Sequence, residues 1–210
     1  MENIIIGVLL LTSVVGLTVI IERGLALRQA RIIPPAVTAA AGDCRGAPDW
    51  PGLQRVCEQN PSPLSRLLLQ AGQRRNWPKG ENVSALETAA RQEVAMMERR
   101  LVVLEIVVGV APLMGLFGTI YGLIELFNRL GASGLNDTGT LSNGIALALN
   151  ATLFGLLAAI PSLAAWSYYN KKVEGFAVEM AALCDRFLIG QYHHDNEKEP
   201  KEAAVRRGSQ

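Results

Sequence analysis

The chain has 210 residues, half of them apolar, with 20 basic and 19 acidic side chains and a net charge of +1. Its charged fraction of 19% lies below the roughly 25% of an ordinary soluble domain, and mean hydropathy is positive at +0.22. Such a composition excludes a disordered chain and a disulfide scaffold, and a net charge this small argues against nucleic-acid binding.

In chain order, residues 1–21 carry a single charge, Glu2. The run 3–21 is long enough to cross ~30 Å of hydrocarbon as a helix. No basic stretch precedes it and no small-residue cleavage pattern stands before Glu22-Arg23, so it reads as a retained first span rather than a signal peptide. Residues 22–100 form a cytoplasmic helical region. Within it Pro34, Pro35, Pro48, Pro51 and Pro61 predict loops with short helical turns over 34–61. Ser62-Pro63 opens a helix, cap first and proline next, with Leu64, Leu67, Leu68 and Ala71 as its apolar face. The stretch Asn76–Gly80 breaks it. Ser84 and Glu87 make a capping box, and no Gly or Pro follows until Gly109. One long helix is therefore expected from Ala85 through the second span, residues 101–127, whose only charges are Glu105 and Glu125. Residues 128–142 make a short loop, and 143–169 the third span, within 33 consecutive uncharged residues (138–170). Over 170–190, Val173, Phe176, Ala177, Met180, Leu183, Cys184 and Phe187 recur at helical spacing, extending that span as a cytoplasmic stalk. Residues 191–210 are polar and charged, an expected disordered tail.

The expected fold is all-α: an integral membrane protein of three transmembrane helices, with spans two and three extended into long cytoplasmic helices. The stalk stripes have no evident soluble core to enter, so they are expected to pack on each other or on further copies of the chain. Orientation follows from the basic residues. None precedes residue 22, 12 lie in 22–100, one (Arg129) in 128–142 and 7 in 170–210. The N-terminus is thus expected outside (periplasmic), the 128–142 loop periplasmic, and the C-terminus cytoplasmic.

Little chemistry is visible. Cys44, Cys57 and Cys184 show no metal-ligand spacing and read as reduced structural thiols. His193-His194 are adjacent and point about 100° apart on a helix, which suits a solvated tail better than a metal site. Gly118 and Gly122 lie in an apolar span and read as a helix-packing surface, not a phosphate loop. No nucleophile–base constellation stands out, so neither an enzyme, a metal nor a cofactor is expected.

Residues 111–122 read A-P-L-M-G-L-F-G-T-I-Y-G and residues 144–161 read G-I-A-L-A-L-N-A-T-L-F-G-L-L-A-A-I-P. Tyr168-Tyr169-Asn170 follows, and Ile21-Glu22-Arg23 closes the first span. Together these resemble the ExbB/TolQ family, the three-span branch of the MotA/TolQ/ExbB proton-channel proteins. The four-span motor-stator branch fits less well, with only three spans here. The resemblance implies a homopentameric bundle in the bacterial inner membrane, with spans two and three lining a central pore. That pore would hold a single-span ExbD/TolR-like partner bearing the proton-accepting Asp. It implies use of the proton-motive force to drive a TonB- or TolA-like transducer. One departure is clear: Leu147 stands where the family's G-I-A-E-A-L has Glu.

Under this resemblance Thr119 and Thr152 occupy the family's two threonine positions. A hydroxyl there can hydrogen-bond a carboxylic acid or a water chain; the alternative is back-bonding to its own helix. Pro112, Gly115 and Thr119 share one helical face, and Gly144, Ala148, Thr152, Gly155 and Ala159 another, both small enough to admit a close partner helix. Asn143 and Asn150 flank Leu147 within about 60° and offer polarity without charge. Glu125 precedes Arg129 by four residues, which suggests an interfacial pair. Glu105 has no basic residue three or four away; pairing with Arg99 or Arg100 of another copy and a place on the ion path are both open. A non-conducting scaffold of the same architecture is the competing reading, and Leu147 favours it. A small-molecule transporter fits poorly with three spans and no inverted repeat.

Overall fold

The computed structural model describes the backbone of residues 2–44, 49–133 and 138–207; the side chains of 2–5, 129, 132–133, 138, 140 and 193–207 lie outside the description. All regular structure among these residues is helical: α1 (Glu2–Ala26), α2 (Gln29–Ile32), α3 (Pro35–Asp43), α4 (Trp50–Gln59), α5 (Pro63–Gln73), α6 (Lys79–Glu98), α7 (Leu101–Ser133) and α8 (Thr138–Arg207). Three stretches are long and apolar enough to cross a membrane: Ile6–Ala26, Leu101–Asn128 and a part of α8 from Leu141 onward. The chain divides into two compact units.

The first unit comprises residues 1–25 and 99–170, that is, α1, α7 and the first part of α8. Its core is small side chains at helix crossings: Val107, Ala111, Ala158 and Ala159 form one buried cluster. A Cβ added to Gly16 of α1 would sit 3.0 Å from Ser162 Oγ and 3.5 Å from Val107 Cγ1, so α1 reaches both other helices there. Lower on the same face, Tyr169 donates its hydroxyl to the Ile20 carbonyl at 2.8 Å. The outward faces stay apolar, with Leu11, Leu113, Phe127 and Ile160 all more than 60% exposed. That surface suits lipid or neighbouring subunits rather than water. At the end of α1, Arg23 is buried and touches Glu22 at 3.3 Å, and Arg100 hydrogen-bonds the same carboxylate oxygen.

The second unit comprises residues 26–98 and 171–210. Pro35 and Pro51 each stand in the first turn of a helix, where a missing N–H costs nothing. The proline-rich stretch over 34–61 therefore forms two helices of 9 and 10 residues, more than the turns expected. Ser62 caps α5 as predicted, accepting from the Ser65 N–H at 3.1 Å. The break at Asn76–Gly80 is present, but α6 starts at Lys79, ahead of the Ser84–Glu87 capping box. There the Pro78 carbonyl accepts from Glu81 and Asn82.

The stalk has a core after all. Val173, Phe176, Met180, Cys184, Phe187 and Leu188 are buried within this chain's own second unit, with Val37, Leu53, Leu64, Leu67, Leu68 and Leu86. Trp50 packs at 6.4 Å against Phe187 and so closely over Gly72 that a Cβ there would overlap its ring. The Arg66 guanidinium clamps the Glu93 carboxylate with two bonds of 2.5 and 2.6 Å, tying α5 to α6. That hydrogen bond raises the Arg66 pKa above its ordinary value. The amphipathic short helices thus supply the partner face expected from the other stalk or from further copies.

Two further expectations change. The single helix from Ala85 through the second span is interrupted by a turn at Arg99-Arg100, beside the Arg100–Glu22 bond; neither Gly nor Pro signals it. Helical backbone continues through 191–207, the expected disordered tail. The Glu125–Arg129 pair cannot be followed, because the Arg129 side chain lies outside the description.

Candidate functional site

The two small-residue faces meet each other. A Cβ added to Gly155 would stand 2.6 Å from the Ala111 carbonyl oxygen and 3.1 Å from Gly115 Cα; one added to Gly115 would stand 2.9 Å from Ala151 O and 3.0 Å from Thr152 Cα. Backbone lies on backbone, as small residues permit in lipid. Pro112 sits within α7, half-buried, and its missing N–H leaves the carbonyl one turn back without its usual partner. Further along, Gly122 approaches Ala148, and Gly144 approaches Leu126.

This close crossing puts Thr119 against Thr152, and their hydroxyls hydrogen-bond each other directly. Thr119 Oγ1 also lies 3.2 Å from the Gly115 carbonyl on its own helix and 3.2 Å from the Ala148 carbonyl on α8. Each hydroxyl holds one proton. Thr152 can donate to Thr119 while Thr119 donates to either carbonyl, and every polar group is then satisfied. Reversing the Thr119–Thr152 bond releases the Thr152 proton for another acceptor. The pair can therefore offer a donor or an acceptor by rotating two hydroxyls, and both side chains remain partly exposed. Back-bonding, one of the two roles open in the sequence, occurs at Thr119 together with a bond across the helices.

The other candidates are scattered. Asn143 and Asn150 are exposed on α8 and take no part in the Thr119–Thr152 contact. Leu147, 48% exposed, lines a small cavity with Glu125. Glu105 is exposed on α7. Sequence reasoning identified the two threonines separately but missed their mutual bond; the signal was the matched small-residue spacing on both spans. It also missed the cavity, to which Ile6 and Tyr121 contribute.

Among the described residues no group of His, Cys, Asp and Glu gathers as a metal site. The three cysteines are buried and form no disulfide. Burial pushes the Cys57 thiol up to about 11 against a lowering contact from Ser65.

Residues 59–182, more than half of the chain and the stretch that holds the α7–α8 crossing, match the profile of the MotA/TolQ/ExbB proton channel family. The chain belongs to that family. Among relatives, it is 29% identical to the Tol-Pal system protein TolQ of Pseudomonas aeruginosa, over 91% of this chain and 84% of that protein. It is 33% identical to TolQ of Haemophilus influenzae over 49% of this chain and 45% of the relative. Against the biopolymer transport protein ExbB of Aquifex aeolicus the figures are 34%, 41% and 59%. Several matches thus span about half of the relative's length, whereas the P. aeruginosa match runs nearly end to end. The chain is thus an ExbB/TolQ-family protein with three span-length apolar helices, and the Thr119–Thr152 crossing lies inside the matched region.

Proposed function

We propose that this chain is the multi-span subunit of an inner-membrane proton-driven complex. In it, five copies surround a single-span ExbD/TolR-like partner, and the assembly uses the proton-motive force to do work on a TonB- or TolA-like transducer. The observation that carries this reading is the Thr119–Thr152 hydroxyl pair at the backbone contact of α7 and α8, within a chain of the proton channel family. The pair accepts a hydrogen bond from the partner's protonated carboxyl and donates one to the carboxylate, easing both halves of a proton cycle. The basic-residue distribution supports a periplasmic N-terminus and a cytoplasmic C-terminus. The apolar outer surface of the first unit supports assembly with further copies.

A second reading has a specific observation behind it. Leu147 replaces a carboxylate that the family resemblance leads one to expect, and the threonines satisfy each other within one chain. A scaffold of the same architecture that conducts nothing would look the same.

The deciding experiment co-purifies the chain with its single-span partner, reconstitutes the complex in liposomes, and follows internal pH with a dye under an imposed potential. Proton uptake that depends on the partner supports the motor subunit. An intact complex that passes no protons favours the scaffold.

A further inference from the structure

We propose that Glu125 is the carboxylate through which protons reach the threonine pair, lodged in the cavity it shares with Leu147; this rests on the proton-conducting function proposed above. The cavity lies among all three spans. Ile6 comes from α1, Tyr121, Gly122 and Glu125 from α7, and Leu147 and Ala148 from α8. Its volume of about 20 Å³ suffices for one water molecule, which needs roughly 10–15 Å³ by the same measure.

The chemistry of the lining is asymmetric. Glu125 and Tyr121 are four residues apart on one face of α7, and they bring a carboxyl and a phenol to the cavity. Tyr121 is the one other titratable group among the lining residues. Among the described residues the facing helices contribute only Ile6, Leu147, Ala148 and Ala151, and the side chain of Arg129, four residues beyond Glu125 on α7, lies outside the description. A half-buried acid inside an apolar span is costly, and such acids stand where ions pass. Glu105, the other intramembrane acid, is exposed and does not line this cavity.

The cavity neighbours the threonines through Ala148. Ala148 lines the cavity, and its carbonyl oxygen lies 3.2 Å from Thr119 Oγ1. Glu125 is six residues beyond Thr119, about 9 Å along the helix axis. Neither threonine lines the cavity itself; Ala148 is the residue common to both. The carboxylate accepts a proton from the outer side, becomes the neutral acid, and returns to the carboxylate as that proton, relayed by a water in the cavity and the threonine hydroxyls, reaches the carboxylate of the single-span partner.

The test uses the complex with its partner in liposomes and compares wild type, Glu125→Gln, and the double variant Glu125→Gln, Leu147→Glu, which returns a carboxyl to the same cavity from the opposite helix. We expect Glu125→Gln to lower proton flux at least tenfold at normal assembly, and the double variant to regain at least a third of it. Flux of Glu125→Gln within twofold of wild type overturns the proposal, as does a loss that Leu147→Glu fails to repair. Independently of any variant, dicyclohexylcarbodiimide, which attacks protonated carboxyls in apolar surroundings, should label Glu125 in the wild-type complex, as read by peptide mass. Label on Glu105 but not Glu125 overturns it. A wild-type complex that conducts nothing counts against the function proposed above, and the labelling pattern then decides the assignment of Glu125 by itself.

Discussion

Thr119 of α7 and Thr152 of α8 hydrogen-bond each other through their hydroxyls, at the place where glycines let the two backbones touch. Because one bond joins them, their removal is not additive. Thr119→Val and Thr152→Val should each cost about 1 kcal/mol, by analogy with interhelical bonds in membranes, and the double variant little more than either. Thr→Ser should cost less, since the hydroxyl stays. Denaturation of the four proteins in mild detergent measures this; fully additive losses would mean the two hydroxyls act separately.

The crossing itself is more demanding. A methyl group at Gly155 meets the Ala111 carbonyl oxygen at 2.6 Å, and backbone cannot swing aside. Gly155→Ala should destabilise by about 1–3 kcal/mol through overpacking. At Gly109 on α7 an added methyl group would meet nothing within 4 Å, so Gly109→Ala should be neutral or stabilising by up to ~1 kcal/mol through helix propensity. Thermal unfolding of both variants in detergent gives the comparison.

Why some of this was legible in the sequence and some was not is physical. The spans were legible because lipid forbids charge: uncharged runs such as 138–170 leave few alternatives. The Ser62-Pro63 start of α5 was legible because cap and proline act locally. The helices α3 and α4 were hidden, since Pro35 and Pro51 signal a break in the interior of a helix but not in its first turn. Burial of the stalk was hidden too. An apolar stripe such as Val173–Phe176–Met180 states that something covers it, not whether the cover is this chain or another. At the site, periodicity gave the face of each threonine. Only the tertiary crossing shows that the faces meet, and that Leu147 and Glu125 border one cavity.

In the second unit, the Glu93 carboxylate is 8% exposed and is gripped by Arg66, itself 51% exposed. Arg66→Ala leaves a mostly buried charge without its bidentate partner. Solvent reaches the arginine side, so the cost should fall below that of a fully buried pair, about 1–2 kcal/mol. Combining Arg66→Ala with Glu93→Gln, which removes the orphaned charge as well, should cost less than Arg66→Ala alone. Urea unfolding followed by tryptophan fluorescence, with Trp50 in the core of this unit, reads both.

Thiol chemistry checks burial and topology together. With the Cys57 thiol pushed up to about 11 by burial, almost no thiolate exists at pH 8, and iodoacetamide should react slowly in the folded protein. The rate should climb as pH rises from 9 towards 11. Ionisation is easier in the unfolded chain, so the same range should also see stability fall. The native cysteines being silent, Arg91→Cys, at an 84% exposed position, should react with an impermeant maleimide only after cells are opened. Gly131→Cys, exposed near the end of α7, should react in intact cells. The reverse pattern would invert the proposed orientation.

The central claim is that the threonine pair serves proton movement rather than packing alone. Its most direct test is proton uptake by liposomes carrying the purified, normally assembled complex of the Thr119→Val, Thr152→Val variant with the single-span partner, beside wild type. Valine keeps the threonine shape and removes both hydroxyls. We predict that the complex assembles as wild type does while potential-driven proton uptake falls severalfold. Uptake equal to wild type would contradict the account and leave these residues as packing.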